Sequence, residues 1–340
     1  MGIGHLFGFF ERVPGTFPVE PDMARLEELP IAEIRKRYVE GHEPLTQQTL
    51  NRLERDSREG VKKLCVSLRR RFERERDERV RLDAMRHFER VLWKSGIKDI
   101  AGVDEAGMAP LAGPVVAAAV MFPPDTEIAG VDDSKRLDPA TRERLAIEIR
   151  AKASGVSVGI ATVAEIDTIN IYHAGLLAMR RAVEGLPRAP QHLLVDARTV
   201  PGVAIPQNPF NKGDGINFSI AAASIIAKTT RDAMMVDLDA QYPGYGFAAH
   251  KGYPVPEHRE ALLKLGRSPV HRLSFPVLRE WFGEFSPLFY ELREALFAAE
   301  ARDAMAAFEK RLKDHVEALS ESEYGKLRLL YGRRWKAVAA

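Results

Sequence analysis

Cysteine is nearly missing from this chain: Cys65 stands alone among 340 residues. One thiol builds neither an intrachain disulfide framework nor a thiolate metal site, and it suits a reducing cytosol. Cys65 therefore reads as a small apolar residue on a helix. Long apolar runs are also missing. The first stretch, MGIGHLFGFFERVPG, has an apolar patch but no basic lead-in, so it reads as neither a signal peptide nor a membrane span. These absences lead us to expect a cytoplasmic protein without a membrane partner. Charge of one sign is not in excess either. Fifty Lys and Arg against 48 Asp and Glu leave +2, so any charged partner must be read from local patches. His-rich or Cys-rich zinc spacing is absent, as are internal repeats and low-complexity tracts. What is there is a chain 45% hydrophobic and 29% charged, enough for a soluble protein with a sizeable core.

Three regions separate by composition. Residues 1–98 form a charged helical extension, with 17–21 an irregular linker. Val61, Leu64, Cys65, Leu68 and Phe72 fall at helical spacing, and Val80, Ala84, Phe88 and Leu92 continue the stripe. Between Val61 and Arg90 there are eleven Lys/Arg against six Asp/Glu. That excess is either a solvated face with internal ion pairs or a contact with a nucleic-acid backbone. Residues 99–285 change character. IAGVD, VVAAAVMF, VSVGIATV and HLLVDA read as strands. Pro139 to Ala153, with Asp138 as its cap, Ile171 to Val183, and the long run from Phe218 to Tyr242 read as helices. Strands mixed with helices predict an α/β domain covered on both faces. Residues 286–340 read as a helical C-terminal extension.

Acids punctuate the middle region. Asp104 and Glu105 follow an apolar strand. Neighbouring strand residues face opposite ways, so the pair shares one site only if the strand ends or bends, and Gly107 and Pro110 supply that break. Asp196 closes another apolar strand. Asp214 lies in a turn before the long helix, where it either caps that helix or joins the other acids. Carboxylates gathered on one site repel unless protonated or neutralised. Hard divalent cations, Mg²⁺ or Mn²⁺, are the natural counter-charge. A pair of them about 3.5–4 Å apart activates water and stabilises the leaving oxygen of a phosphodiester.

The stretch from Ile100 to about Val277 resembles ribonuclease HII, the type 2 ribonuclease H. AGVDEAG, PLAGPVVAAAV, DDSKRL, NIYHAGLLAMRRAV, LLVDA, KGD, AAASIIAKTTRD, YPGYGFAAHKGYP and SPVHRLSF follow one another in the family's order. The resemblance implies a ribonuclease-H-like fold, a central mixed sheet flanked by helices. It implies endonucleolytic cleavage of the RNA strand of RNA–DNA hybrids, including single ribonucleotides embedded in DNA, leaving 3′-hydroxyl and 5′-phosphate ends. By motif position the family's four acids fall on Asp104, Glu105, Asp196 and Asp214, and its substrate-sensing tyrosine on Tyr253. The extension, through EIRKRY and DSREGVKKL, is more loosely similar to that of longer bacterial members.

Two motifs depart from the family. Its usual Gly-Arg-Gly is Gly107-Met108-Ala109 here, and its Gly-Asn after the third acid is Ala197-Arg198. In the family this first loop brings backbone groups close to the 2′-hydroxyl, which distinguishes RNA from DNA, and the resemblance implies the same here. Met108 removes a guanidinium, and Ala109 removes a glycine able to adopt positive φ. Ala109 precedes a proline, which biases it toward extended backbone. The loop therefore keeps an allowed shape or moves, while Arg198 restores positive charge near the acids. Gly107, Met108, Ala109, Lys135, Lys228 and Tyr253 are the candidate substrate contacts. Lys212, Arg231, Lys251, His258, His271 and Arg272 are further candidates for phosphate contacts. Bland readings stand beside them: Lys228 or Arg231 pairs with Asp232 or Asp237, His258 is a structural hydrogen-bonder, His271-Arg272 holds the C-terminal segment, and Asp133 is a turn residue. The functional alternative to a nuclease is a protein that grips hybrids and cuts them poorly.

Overall fold

A computed structural model of the chain describes residues 26–124 and 126–339. The expected linker at 17–21 and the apolar patch before it lie outside the described residues. Two compact units are present, Met1–Arg81 and Leu82–Ala340.

Among its described residues the first unit is helical. α1 (Ile31–Ile34) runs into a π turn at Arg35–Glu40, followed by α2 (Gln47–Glu54) and the long α3 (Glu59–Met85), within which the two units divide. α2 starts where Thr46 Oγ1 accepts from the Thr49 amide at 3.1 Å. The core is Ile34, Tyr38, Leu50 and Leu53 against Val61, Leu64, Cys65 and Leu68, as helical spacing requires. Burial raises the Cys65 thiol pKa. The eleven cations are largely a solvated, ion-paired face: Lys62 meets Glu59, Arg69 meets Glu54, Arg71 meets Glu75 and Arg81 meets Glu78.

The second half of the expected stripe holds only in part: Phe88 and Leu92 pack against Ile100, Leu194 and Ile220, whereas Val80 and Ala84 do not turn inward. Val80 is 65% exposed and Ala84 is exposed; the buried residues are Leu82 and Met85. α3 ends at Met85 and α4 (His87–Lys94) starts beyond a break at Arg86, so the helical phase does not carry across.

The second unit is built on a five-stranded mixed sheet: β1 (Ile100–Ala106), β2 (Val115–Met121), β3 (Gly155–Ala161), β4 (His192–Asp196) and β5 (Gln207–Phe210), in the order β3-β2-β1-β4-β5. β1 pairs antiparallel with β2 and parallel with β4. Four strands match the sequence reading. β5, QNPF, does not announce itself: it is short, lacks alternation and carries Pro209, which an edge strand tolerates. α5 (Pro139–Lys152) starts as expected, with Asp138 Oδ1 accepting from the Thr141 amide at 3.0 Å. α6 (Val163–Glu184) is longer than expected. It is kinked at Asn170, whose side chain recaps the helix by accepting from the Tyr172 and His173 amides. α7 (Phe218–Gln241) is the long small-residue helix.

One face of the sheet packs on α6 through Val103, Val115, Ala117, Ala174, Ala178 and Leu193. The other packs on α5 and α7 through Ala118, Val120, Leu145, Ala222 and Ile226. Fully buried strands read as continuous apolar runs for this reason. Gly102 shows how close α7 comes: a Cβ there would lie 2.1 Å from the Ser219 carbonyl carbon. Beyond the sheet follow the short helices α8 (Phe247–His250), α9 (Pro256–Leu265) and α10 (Pro276–Trp281). The C-terminal helices α11 (Pro287–Ala298), α12 (Arg302–Asp314) and α13 (Glu321–Ala339) bury their own core of Phe289, Leu292, Met305, Phe308 and Leu327. No described helix is long and apolar enough to cross a membrane.

Candidate active site

The ends of β1 and β4 lie side by side, because these strands run parallel in register from Ile100↔His192 to Val103↔Val195. Asp104 and Asp196 follow directly. β1 holds its pairing to β2 through Ala106, and the chain then turns at Gly107, whose φ is 97°. A side chain at Gly107 would run into Arg231 Nε at 2.2 Å and the Pro114 carbonyl oxygen at 2.9 Å, so glycine is required there. Asp214 sits in a single 3-10 turn, Gly213–Gly215. The Gly213 amide donates to Asp196 Oδ1 at 2.7 Å, which brings this turn against the end of β4. Asp214 does not cap α7. Asn217 does, accepting from the Ile220 amide at 3.0 Å.

Electrostatics link these acids. Burial, then the charges of Glu105, Asp196 and Asp214, push Asp104 well above the usual carboxylate range, against a hydrogen bond from Ser224. Burial and Asp196 push Glu105 up to about 7, opposed by Arg198 and Lys135. Burial also raises Asp196, against the Gly213 amide. Glu105 Oε2 is buried with no hydrogen-bond partner. Lys135 Nζ stands 3.3 Å from Asp214 Oδ2 with its side chain largely in solvent. Among the described residues no three carboxylate, imidazole or thiolate groups converge closely enough to form a finished metal cage. The donor set nevertheless fits a hard cation: all oxygen, mutually repelling, with one buried oxygen left open.

The remaining sequence candidates separate. Tyr253 is 39% exposed, its ring free to stack. Lys228 is tied to Asp232 at 2.6 Å across one helical turn, the blander of its two readings. Together with Arg142 and Lys251 these two line a cavity of about 420 Å³. Asp133 behaves as a turn residue, accepting from the Lys135 amide at 2.9 Å. Arg231, His258, His271 and Arg272 are buried, which removes them from phosphate contact. His258 and His271 bond each other through their Nε2 atoms at 3.1 Å, and burial pushes both down to about 4, leaving them neutral.

The two departures resolve differently. Ala109 is not among the residues at positive φ, so the loop keeps an allowed shape. Met108 turns onto α6, its Sδ 2.9 Å from where a Cβ on Gly175 would stand, and packs against the sheet core. Ala197, by contrast, occupies the left-handed region at φ 57°, where glycine would be unstrained. Arg198 lies over the Tyr172 ring at 4.7 Å and within electrostatic reach of Glu105 and Asp196.

Sequence reasoning missed Glu89. It is buried, and its carboxylate accepts from Asn217 Nδ2, the Ser219 amide and Ser219 Oγ at 2.8–3.1 Å, bracing the start of α7 beside the Asp214 turn. Nothing local distinguishes it from a surface acid on α4. Asn217 was findable, since Asn just before a long apolar helix is a cap signal.

Comparison with known proteins identifies the family. The family model described as Ribonuclease HII matches residues 101–277, and that described as Ribonuclease HII N-terminal domain matches 30–93. Ribonuclease HII of Myxococcus xanthus (strain DK1622) is 54% identical over 254 residues, covering 74% of this chain and 87% of that one. Ribonuclease HII of Geobacillus thermodenitrificans (strain NG80-2) is 52% identical over 231 residues, covering 68% and 89%. Among solved structures, ribonuclease H2 from Pyrococcus horikoshii OT3 is 27% identical with a TM-score of 0.46, covering 55% of this chain and 98% of that one. Bst-RNase HIII in complex with Mn2+ is 19% identical with a TM-score of 0.43, covering 55% and 70%. The chain belongs to the ribonuclease HII family and is a ribonuclease H, a hydrolase with a ribonuclease-H-like fold.

Proposed function

We propose that this protein hydrolyses the RNA strand of RNA–DNA hybrids at Asp104, Glu105, Asp196 and Asp214 with Mg²⁺ or Mn²⁺, as a pair of ions, releasing 3′-hydroxyl and 5′-phosphate ends. Family membership supports the endonuclease activity on hybrids. The observation that carries the metal-dependent reading is the open, buried Glu105 Oε2 beside acids that raise one another's pKa. Bound divalent ions supply a polarised water and a stabilised leaving oxygen. The chain's own residues do the rest. Asp104 and Asp196 directly follow the last residues paired between the parallel strands β1 and β4, Val103 and Val195, so they hold their positions without reorganisation. Lys135 reaches into the site from a solvent-exposed turn, placed to meet a phosphate oxygen. Tyr253 offers a ring face to the sugar beside the ribonucleotide. The catalytic region we propose is 99–285, flanked by extensions at 1–98 and 286–340.

We further propose that preference for single embedded ribonucleotides is weakened. Met108 packs on α6, so position 108 presents no guanidinium to a substrate. The test is a paired cleavage assay on a continuous hybrid and on a duplex with one ribonucleotide, with Mg²⁺ and with Mn²⁺. Cleavage of the hybrid is expected, with single-site incision rising in Met108→Arg/Ala109→Gly. Binding without cleavage under either ion refutes the nuclease reading. Single-site incision that is already strong and indifferent to the double substitution refutes the weakening.

A further inference from the structure

Arg231 and Arg272 are 1% and 0% exposed, among the largest fully buried side chains of the protein. Among the described residues neither makes an ion pair with a carboxylate, which is unusual for buried cations. Their partners are main-chain carbonyls instead. Arg272 donates to the carbonyls of Gly107 (2.7 Å), Met108 (3.3 Å), Gly113 (2.9 Å) and Pro114 (3.2 Å). Arg231 donates to Ala112 (3.1 Å), Pro114 (3.0 Å) and Lys251 (3.1 Å). Six of the seven bonds fall on the loop after the acid pair. The seventh falls on the turn that carries Tyr253. The Leu111 amide, donating to the Gly252 carbonyl at 2.7 Å, joins the same two segments.

The direction of these carbonyls matters. In a trans peptide the N–H points opposite to the C=O. With the Gly107 and Met108 carbonyls drawn inward onto Arg272, the Met108 and Ala109 amides face away from it. Neither amide donates to an acceptor among the described residues. Two donors are thus left free at the end of β1, on a loop whose own side chains, Met108 and Ala109, offer no polar group.

We propose that Arg231 and Arg272 are positioning residues that lock the Gly107–Pro114 loop and the Tyr253 turn into one surface for reading a ribonucleotide. The proposal rests on the ribonuclease reading above. The carbonyls compensate two buried like charges, and the guanidinium's several donors suit the task as an ammonium's compact charge does not. A continuous hybrid offers many registers and many 2′-hydroxyls. A single ribonucleotide offers one, so misplacing the loop weakens single-site incision most.

Arg272→Lys and Arg231→Lys keep the charge and lose the fork. Leu292→Ala, in the C-terminal core, serves as a control for general destabilisation. Each is assayed for KM and kcat on the single-ribonucleotide duplex and on the hybrid, with amide hydrogen exchange of 107–114 and 251–253. We expect Arg272→Lys to raise KM on the single-ribonucleotide duplex by about tenfold or more and to lower hybrid kcat/KM by less than about threefold. Exchange should accelerate in both segments together, while Leu292→Ala leaves the substrate ratio alone. If Arg272→Lys does not fold, Arg231→Lys carries the same readouts. Equal losses on both substrates, or a parental ratio in both Lys variants, overturn the clamp while leaving the nuclease intact. An unaltered protein that cuts neither substrate with Mg²⁺ or Mn²⁺ overturns the functional reading on which the clamp rests.

Discussion

Glu323 at the start of α13 and Glu105 at the end of β1 both place carboxylate oxygens out of water, with opposite results. Glu323 accepts from the Ser286 and Ser320 amides and from Ser320 Oγ at 2.5–2.8 Å, and despite burial these donors hold it down to about 2. Glu105 has one buried oxygen without a donor, a neighbouring Asp196, and a pKa pushed up to about 7. The first is a completed joint between α11 and α13. The second holds charge that the protein itself does not neutralise. A buried acid with every acceptor filled is scaffold; one with an acceptor left open beside other acids is a candidate ligand.

The sharpest way to break this contrast is Asp104→Asn. Cleavage should fall by about a thousandfold or more, since the loss touches transition-state charge worth several kcal/mol. The metal-free protein should melt no lower, because the substitution removes repulsion, and the rise in Tm with Mn²⁺ should shrink. Thermal melts with and without Mn²⁺, alongside the hybrid assay, check both.

Glu323→Gln tests the opposite case. It should cost about 2 kcal/mol by weakening charge-assisted bonds to buried amides, with hybrid cleavage little changed. Glu323 is depressed, so its contribution is present above the ordinary carboxylate range and lost as pH falls through about 2. The difference between parent and variant in denaturant melts should therefore be seen at pH 6 and close toward pH 2.

Glu105 has the reverse sign. Its folded pKa is raised, so the folded protein holds the proton more tightly than the unfolded chain. Stability from this group is full below the ordinary carboxylate range and lost as pH rises through about 7. Metal-free melts should weaken from pH 5 to 8, with Glu105 contributing at most about 1.4 kcal/mol per pH unit beside Asp104 and Asp196, which are raised too. Glu105→Gln should flatten that slope. A parental slope in the variant would assign the pH dependence elsewhere.

The smallest effect belongs to Ala197→Gly. Relief of a left-handed alanine should stabilise by about 1 kcal/mol, measured by urea melts, whereas Ala109→Gly, at an unstrained φ, should stabilise nothing.

Much of this was legible in order along the chain. Four apolar runs gave four strands, Asp138 gave the start of α5, and acids after apolar runs gave Asp104 and Asp196, because each signal is local. β5 was not legible, since a short edge strand with a proline is defined by its neighbour β4 and not by its own pattern. Glu89 looked like any helix acid until α4 was seen against the start of α7. Arg231 and Arg272 looked like phosphate contacts because motifs report that a cation is present and not which way it faces.

By itself, then, the sequence determined periodicity, caps, strand ends and the identity of the acids, all of which act through bonds and neighbours a few residues apart. Only the tertiary structure decided which cations reach solvent, which alanine took the strained φ, and which carboxylates found donors. Burial and hydrogen-bond partners belong to pairs of residues that are far apart in the chain, such as Arg272 and Gly107, and their energies exist only once the fold has brought them together.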